Sequence, residues 1–157
     1  MNRQTKKIAI DTPIAEIILR RYEKPYNLTK RELVRKLCLS IGLLQPGDSR
    51  DVVVDVLYVL LEARQENLKL SSEEVRENVL ELRKNEGLAL VGVASSNIRR
   101  QLKRLREVFL VEKIKNDYRI SEFNLIVENF EEKIQKFLIP NIIDRVRDYY
   151  NKVDEAF

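Results

Sequence analysis

The chain has 157 residues and a net charge of +4, with one cysteine and no histidine. A chain of this length can bury a core without a disulfide or a structural metal. The lack of histidine and of a second cysteine removes the usual ligands of a structural zinc site and the parts of a Ser-His or Cys-His nucleophile. The carboxylates fall at expected helix caps and helix surfaces, so we expect no metal, no cofactor and no enzymatic activity.

The basic residues are concentrated in two parts of the chain. Residues 1–47 contain ten basic and four acidic residues, and residues 95–120 contain eight and three. Acidic residues outnumber basic ones in residues 48–94, by ten to six, and in residues 121–157, by eight to five. Clustered Lys and Arg are typical of phosphate-binding proteins. No segment has the pattern of a secretion signal or a membrane span, so we expect a cytoplasmic protein without a membrane partner.

The first helix is predicted between Thr12 and Pro25. Thr12 fits the N-cap, and Pro13 fits the first helical position, where a missing N–H group is tolerated. Three isoleucines at positions 14, 17 and 18 would form its apolar side. Pro25 ends the segment, because proline disfavours helical backbone in the residue before it.

The second helix has a clearer start. Thr29 and Glu32 match a capping box, which predicts a helix that ends near Gly42 and buries Leu33, Leu37 and Ile41. Cys38 on this helix is interpreted as a small buried apolar residue. The opposite side is either solvated or a further phosphate contact, and it carries Lys30, Arg31, Arg35 and Lys36.

The third helix, residues 50–67, follows a turn at residues 45–48 and a cap at Asp48 or Ser49. It is rich in Val and Leu on more than one side, so we expect it to be the most buried element. Its β-branched run also fits a strand, but the length and the acidic cap favour a helix.

The fourth helix, residues 72–85, begins with a second capping box. Ser71 and Glu74 form the box, and Gly87 stands where a C-terminal cap belongs. The segment at residues 87–94 that follows is apolar and is expected to expose Leu88, Leu90 and Val91.

The fifth helix, residues 95–108, separates apolar from basic residues. With Ser95 or Ser96 as its cap, one face carries the apolar residues Ile98, Leu102, Leu105 and Phe109. The outer face and its two shoulders carry Ser96, Asn97, Arg99, Arg100, Lys103, Arg104 and Arg106, opposed by Glu107 alone. The pattern favours a helix presented to an anionic partner over a merely solvated basic face.

A short β-hairpin is predicted over residues 109–121. Val111 and Ile114 precede the turn residues Asn116 and Asp117, which tolerate positive φ, and a second alternating strand follows them. Its basic side chains, which could reach a neighbouring phosphate or the minor groove, are Lys113, Lys115 and Arg119.

The rest of the chain, residues 122–157, is predicted to be helical almost to its end. An apolar stripe spaced by three or four residues runs along it, and Pro140 should kink or divide the helix. The stripe fits packing against the same domain or against a second subunit. We expect the second arrangement, because the stripe is longer than one small domain requires.

The helix and hairpin together resemble the recognition helix and wing of winged helix-turn-helix transcription regulators, in particular MarR-like and ArsR-like proteins of archaea and bacteria. The likeness lies in SNIRRQLKRLREVFLVEKIKNDYRIS at residues 96–121, with VLYVLLEARQEN and the helix from Ser71 as supporting helices. Val108-Phe109-Leu110 stands where the family usually has Gly, and residues 87–94 are longer than the usual turn between the helices.

The resemblance implies a mainly α fold. Its winged helix-turn-helix core with a short β-hairpin wing would be flanked by N-terminal helices and a long C-terminal helical segment. We accordingly divide the chain into an N-terminal helical extension (1–47), a DNA-binding core (48–121) and C-terminal amphipathic helices for dimerisation (122–157). The implied partner is double-stranded DNA, bound by a homodimeric, nucleoid-associated regulator.

The predicted DNA-binding residues combine the helix and the wing. Asn97 and Arg100 are the candidates for base edges, and Ser95 and Ser96 with the helix N-terminus can hold a phosphate. The full set is Ser95, Ser96, Asn97, Arg99, Arg100, Lys103, Arg104, Arg106, Lys113, Lys115 and Arg119. The alternative is a winged-helix subunit that binds protein in a segregation, replication or transcription complex, because such domains serve both functions.

Overall fold

The structure is a computed structural model that describes residues 10–157. The chain is mainly helical, with a small antiparallel sheet and a long C-terminal helix. The elements up to the hairpin are α1 (Lys30–Ser40), α2 (Val52–Gln65), β1 (Leu70–Ser71), α3 (Ser72–Asn85), α4 (Ser95–Glu107), β2 (Val111–Ile114) and β3 (Asp117–Ile120). The elements after it are a 3₁₀ turn (Ser121–Phe123), α5 (Ile126–Asn129), a π-helical segment (Phe130–Leu138) and α6 (Ile139–Ala156).

The predicted first helix is wrong, because residues 12–28 contain no helix or strand. Arg20 fixes their path instead. Its backbone N–H donates to the carbonyl of Ser40 at 2.8 Å, and its guanidinium donates to the carbonyls of Leu39 and Leu44 at 2.7 and 3.1 Å. Carbonyl groups at the end of a helix lack partners within the helix. The hydrogen bonds from Arg20 to these carbonyls therefore stabilise the coil more than helix formation would, because an isoleucine-rich segment has only a weak preference for helix.

Both capping boxes are confirmed. The backbone N–H of Glu32 donates to the Thr29 hydroxyl at 3.2 Å, and the Thr29 N–H donates to the Glu32 carboxylate at 2.7 Å. Ser71 and Glu74 exchange the same two bonds, each at 3.2 Å. Such a cap contributes about 1 kcal/mol to stability. The two boxes fix where α1 and α3 begin.

The prediction that the third helix is the most buried element is confirmed by α2, and the strand alternative is wrong. Nine of its fourteen residues are buried, and it packs against α1, α3, α4 and β3. The apolar face of α4 supplies fully buried residues to the same core, namely Ile98, Leu102 and Leu105. Phe109, placed on that face by its spacing, lies beyond the end of α4.

The inner face of α1 differs partly from the prediction. Its buried residues are Val34, Cys38 and Leu39, whereas Leu33 is exposed, because the helix is rotated relative to the expected stripe. Cys38 is fully buried, as predicted. Burial raises the pKa of its thiol to about 12, so the thiol remains protonated at neutral pH.

The predicted hairpin is confirmed as β2 and β3, but its loop is displaced by one residue. Ile114 pairs with Asp117, so the loop consists of Lys115 and Asn116, with Lys115 at φ +58°. β1 was not predicted. It is a two-residue strand that pairs Leu70 with Tyr118, which ties the start of α3 to the hairpin.

Phe109 occupies the turn after α4, where a glycine would be expected. Its φ is +66°, a left-handed conformation that glycine adopts without steric strain and phenylalanine does not. The Ser121 hydroxyl donates to the Phe109 carbonyl at 3.1 Å, which holds the turn against the end of the hairpin. The chain therefore turns from α4 into β2 without a glycine.

The first part of the C-terminal helix packs against the core, and the rest extends beyond it. Ile134 is buried, and Phe137 is 63 % exposed. The described helix from position 143 onward is exposed on every side. Pro140 lies at the second position of α6, directly after the π-helical segment, so the hydrogen-bonding pattern changes there while the helix continues. Proline removes a backbone donor, which is consistent with this change.

Candidate nucleic-acid interface

The outer side of α4 is predominantly basic. Six residues on this side are exposed. We call five of them the α4 basic face: Ser96, Arg99, Arg100, Lys103 and Arg106; the sixth is the acidic Glu107. Among residues 10–157, none of its four charged side chains has a hydrogen bond or an ion pair. Because the opposite side of α4 is fully buried, the helix has one orientation and this face points to solvent.

Two predicted site residues on one shoulder of α4 are engaged within the chain. The Asn97 amide donates to the Gly92 carbonyl at 2.6 Å and accepts from the Gln101 side chain at 3.0 Å. The Arg104 guanidinium donates to the Gln101 side chain at 2.8 Å and also to the Leu43 carbonyl. Both side chains therefore brace α4 against neighbouring segments.

The start of α4 lies one residue earlier than the predicted serine caps. Ala94 is the N-cap, and its carbonyl accepts from the N–H groups of Asn97 and Ile98, both at 3.0 Å. Ser95 and Ser96 are in the first turn, which contains no acidic residue. Alanine has no side-chain acceptor, so the cap leaves the first N–H groups of the helix to other partners.

The hairpin adds one unpaired basic side chain to this surface. Lys115 is exposed at the loop and has no partner within the described part of the chain. Arg119 donates to Glu112 at 2.6 Å and lies 4.7 Å from the ring centroid of Phe123. Lys113 lies 5.6 Å from the ring centroid of Tyr118. The last two basic residues thus stabilise the hairpin itself.

A groove of about 620 Å³ separates the α4 basic face from the C-terminal helix. Its charged lining is mixed, with Lys103, Arg106, Lys113 and Lys133 beside Glu107, Glu112, Glu122 and Glu132. The excess of basic residues is therefore found on the outer side of α4, where Glu107 is the one exposed acidic residue, and at the tip of the hairpin.

Sequence reasoning missed a cluster of four charged residues that joins α1, α2 and α3. We call it the ion cluster: Arg31 of α1, Asp51 and Asp55 at the start of α2, and Arg83 of α3. Arg31 contacts Asp51 at 3.0 Å and Asp55 at 2.9 Å, while Arg83 contacts Asp51 at 3.2 Å and also pairs with Asp55. Arg31 is therefore not part of a solvated basic face, and Asp55 is a carboxylate paired within an apolar segment.

The ion cluster is electrically balanced, with two positive and two negative groups. Burial raises the pKa of Asp51, but hydrogen bonds and charge from Arg31 and Arg83 outweigh burial and leave that pKa below its ordinary value. Burial lowers the pKa of Arg31, but its bonds to Asp55 and Asp51 leave it raised. Asp51 and Arg31 are therefore both charged at neutral pH.

The ion cluster continues into the loop that precedes α4. The Arg83 Nε–H donates to the Ala89 carbonyl at 2.7 Å, and the Arg76 Nε–H donates to the Val93 carbonyl at 2.8 Å. The bond from Asn97 to Gly92 closes the loop on α4 itself. Three side chains thus fix residues 88–94, and through them the start of the basic helix.

Leu90 and Val91 at the tip of this loop are exposed, as predicted, by 44 % and 59 %, whereas Leu88 is half-buried. No cluster of three or more potential metal ligands occurs in residues 10–157. In the same part of the chain no helix is both long enough and apolar enough to cross a membrane.

Comparison with protein-family models, with curated proteins and with solved structures gives no match to this chain.

Proposed function

We propose that this chain is a double-stranded DNA-binding protein, a transcription regulator of the winged helix-turn-helix type. In this proposal α4 enters the major groove, and the hairpin lies as a wing on the flanking backbone. The observation that carries the proposal is the α4 basic face. Its four exposed charges have no partner within residues 10–157 and stand opposite a fully buried stripe.

Phosphate contacts would supply most of the affinity. Lys and Arg that neutralise phosphates release condensed counterions, a gain that does not depend on base sequence. Arg99, Lys103 and Arg106 are suited to this role, because none has to leave an internal ion pair. Lys115 at the tip of the hairpin would contact a neighbouring phosphate. The first N–H groups of α4 offer a further anion contact, with no acidic residue nearby in the first turn.

Arg100 is the proposed residue for base recognition. It is exposed in the second turn of α4, and arginine can form two hydrogen bonds with the guanine edge in the major groove. Asn97 is less suited to reading adenine, because both ends of its amide already have partners. Its contribution in this proposal is to hold the loop and the start of the helix for Arg100.

A salt titration of duplex binding tests the proposal. With four phosphate contacts, the logarithm of the binding constant should fall against the logarithm of salt concentration with a slope of about −4 for one protomer. Fluorescence anisotropy with duplexes selected from genomic fragments measures this slope. Binding that is independent of salt, or no binding to any selected fragment, would contradict the proposal.

A homodimer is the proposed assembly, with α6 as its contact. Ile142, Val146, Tyr149 and Val153 repeat every three and four residues, the spacing of a coiled-coil seam. Val146, Tyr149 and Val153 are exposed by 48 %, 70 % and 57 %, so no part of residues 10–157 covers this seam. A second copy of the helix would bury it.

The charges of α6 favour an antiparallel pair. Residues 139–147 contain two arginines and one aspartate, whereas residues 148–156 contain one lysine and three acidic residues. An antiparallel partner places the basic half of one helix beside the acidic half of the other. Twofold symmetry of this kind would present two copies of α4 to successive major grooves.

Val146→Glu should convert the dimer to a monomer, because it places a charge at the centre of the apolar seam. Light scattering after gel filtration should give twice the 18.5 kDa chain mass for the unaltered protein and a single chain mass for the variant. Asn151→Glu introduces the same charge on an exposed residue outside the seam and should remain a dimer. A monomeric unaltered protein at micromolar concentration would refute this assembly.

The second candidate function is a protein-interaction subunit. The favouring observation is the loop tip, where Leu90 and Val91 are exposed although the surrounding backbone is fixed by three side chains. Leu90→Ser with Val91→Ser discriminates between the candidates. The double variant should retain duplex binding if α4 binds DNA, and should lose a stoichiometric protein partner if the loop is the functional surface.

A further inference from the structure

A separate cavity of about 450 Å³ lies between the C-terminal helix and the core. Its walls come from the coil before α1, the end of α1, the link between α4 and β2, and the start of the C-terminal helix. The lining is largely apolar and includes Leu19, Leu37, Val108, Leu110, Ile126 and Phe130. This volume is within the range of sites that hold small molecules.

Asn129 lines both this cavity and the groove beside the α4 basic face, and it is 7 % exposed. Its side-chain Nδ2 is buried and has no hydrogen-bond partner within residues 10–157. A buried amide donor without a partner lowers stability, and native proteins contain few such groups. Asn129 stands at the junction of α5 with the π-helical segment, a type of irregularity that is frequent at functional sites.

Arg20 is the one charged residue in the described lining of the cavity, which contains no acidic residue. Its Nη1 donates to the carbonyls of Leu39 and Leu44, and its Nη2 donates to the Gln45 side chain at 2.6 Å. These bonds use three of its five N–H groups, so the guanidinium retains donor capacity. An apolar wall, a buried amide donor and a single positive charge therefore border the same space.

We propose that this cavity binds a small apolar molecule that carries a carboxylate. The apolar part lies against Val108, Leu110 and Phe130, and the carboxylate accepts hydrogen bonds from Asn129 and Arg20. The Asn129 Nδ2 is buried without a partner, and rotation about the broad terminal torsion of the side chain would turn it toward the ligand. A cationic ligand of the same shape is disfavoured, because it offers no acceptor and faces Arg20.

The proposal goes beyond DNA binding and does not depend on it. The cavity walls join the link after α4 to the helix that carries the proposed dimer seam. A ligand between them would contact both segments, so binding to the chain can be measured with or without DNA.

Calorimetric titration of the full chain with octanoate and with octylammonium tests the proposal. These probes share an apolar chain and differ in whether the head group accepts or only donates hydrogen bonds. Octanoate should bind with one site per chain and at least about tenfold more tightly than octylammonium, because a hydrogen bond to a charged group is stronger than one between neutral groups.

Two variants locate the binding. Asn129→Leu keeps a similar shape and removes the donor, so octanoate should bind on the order of tenfold more weakly. The same variant should unfold at a higher temperature, because the unpaired buried amide is gone, which confirms that it folds. Ser40→Leu adds volume to a residue that lines the cavity and should abolish octanoate binding.

Equal affinity for the two probes, or no binding of either, would overturn the proposal. Octanoate binding that survives both Asn129→Leu and Ser40→Leu would place it elsewhere on the chain and overturn the proposal as well. If octanoate binding disappears as the chain self-associates, the cavity is occupied by a second copy of the chain. That result would also overturn the proposal.

Discussion

Arg83→Met should lower the free energy of unfolding by about 3–5 kcal/mol, the usual effect of removing one partner from a buried ion pair. Asp55 is completely buried and would keep only Arg31 as a cationic partner. The variant would also leave the Ala89 carbonyl without its donor. Since domains of this size are stable by about 5–15 kcal/mol, this loss is a large part of the total.

Urea denaturation followed by circular dichroism measures this effect, and two variants calibrate it. Arg76→Met removes a single bond, from Nε to the Val93 carbonyl, and should lower stability by about 1 kcal/mol. Arg83→Lys keeps the positive charge but loses the planar fork, so its effect should be intermediate. If Arg83→Met and Arg76→Met are equally mild, the ion cluster does not stabilise the fold as argued.

The effect of Arg83→Met should also depend on pH. The pKa of Asp51 is raised by burial but, with Arg31 and Arg83 beside it, lies below its ordinary value in the folded chain. As the pH falls below about 4, the unfolded chain takes up this proton first, so the stabilisation is lost on acidification. The difference in stability between Arg83→Met and the unaltered protein should therefore shrink below that pH.

Local signals in the sequence predict the elements that local interactions determine. Thr29 and Glu32 are three residues apart, so the box at the start of α1 requires no knowledge of the rest of the chain. The same holds for Ser71 and Glu74 and for the two strands of the hairpin. In each case the stabilising contacts join residues that are close in sequence.

Contacts between distant residues explain what the sequence did not predict. The predicted first helix is replaced by coil because Arg20 bonds to carbonyls about twenty positions away, at the end of α1. β1 depends on Tyr118, which is far along the chain. The ion cluster joins three helices, although two signs of it are present in the sequence. Asp55 interrupts an apolar run, and Arg83 follows Val79 by one helical turn on the buried side of α3.

The sequence predicted the outer face of the candidate site, but it did not predict the contacts of the residues at the edge of that face. Helical periodicity correctly opposes Arg100 and Lys103 to the buried stripe, because that relation is internal to α4. The partners of Asn97 and Arg104 are Gly92 and Leu43, which lie on other segments, and periodicity carries no information about them.

The ion cluster and the α4 basic face are connected through the loop at residues 88–94. Arg83 holds this loop at Ala89, and the loop in turn bonds to Asn97 in the first turns of α4. Variants of Arg83 should therefore alter the orientation of the basic helix as well as stability. For this reason the decisive test of the surface uses exposed residues that have no role in holding it.

Arg100→Ala combined with Lys103→Ala should weaken duplex binding by about 100-fold at physiological salt, as expected for two lost contacts to DNA. The salt slope should fall in magnitude by about 2 per protomer if both residues contact phosphate, and by about 1 per protomer if Arg100 contacts a base. Both side chains are exposed and have no partner within residues 10–157, and alanine favours helix, so the fold should be unaffected. Anisotropy titrations at several salt concentrations measure affinity and slope together.

Lys69→Ala combined with Lys136→Ala is the matched control. Both residues are exposed and lie outside α4 and the hairpin. Like the first double variant, this one lowers the net charge of the chain by two. If net charge alone drove association, the two double variants would lose affinity equally. A loss confined to Arg100 and Lys103 would instead assign binding to the outer face of α4. Equal losses would leave only non-specific attraction to DNA, and the regulator proposal would then give way to the protein-interaction candidate.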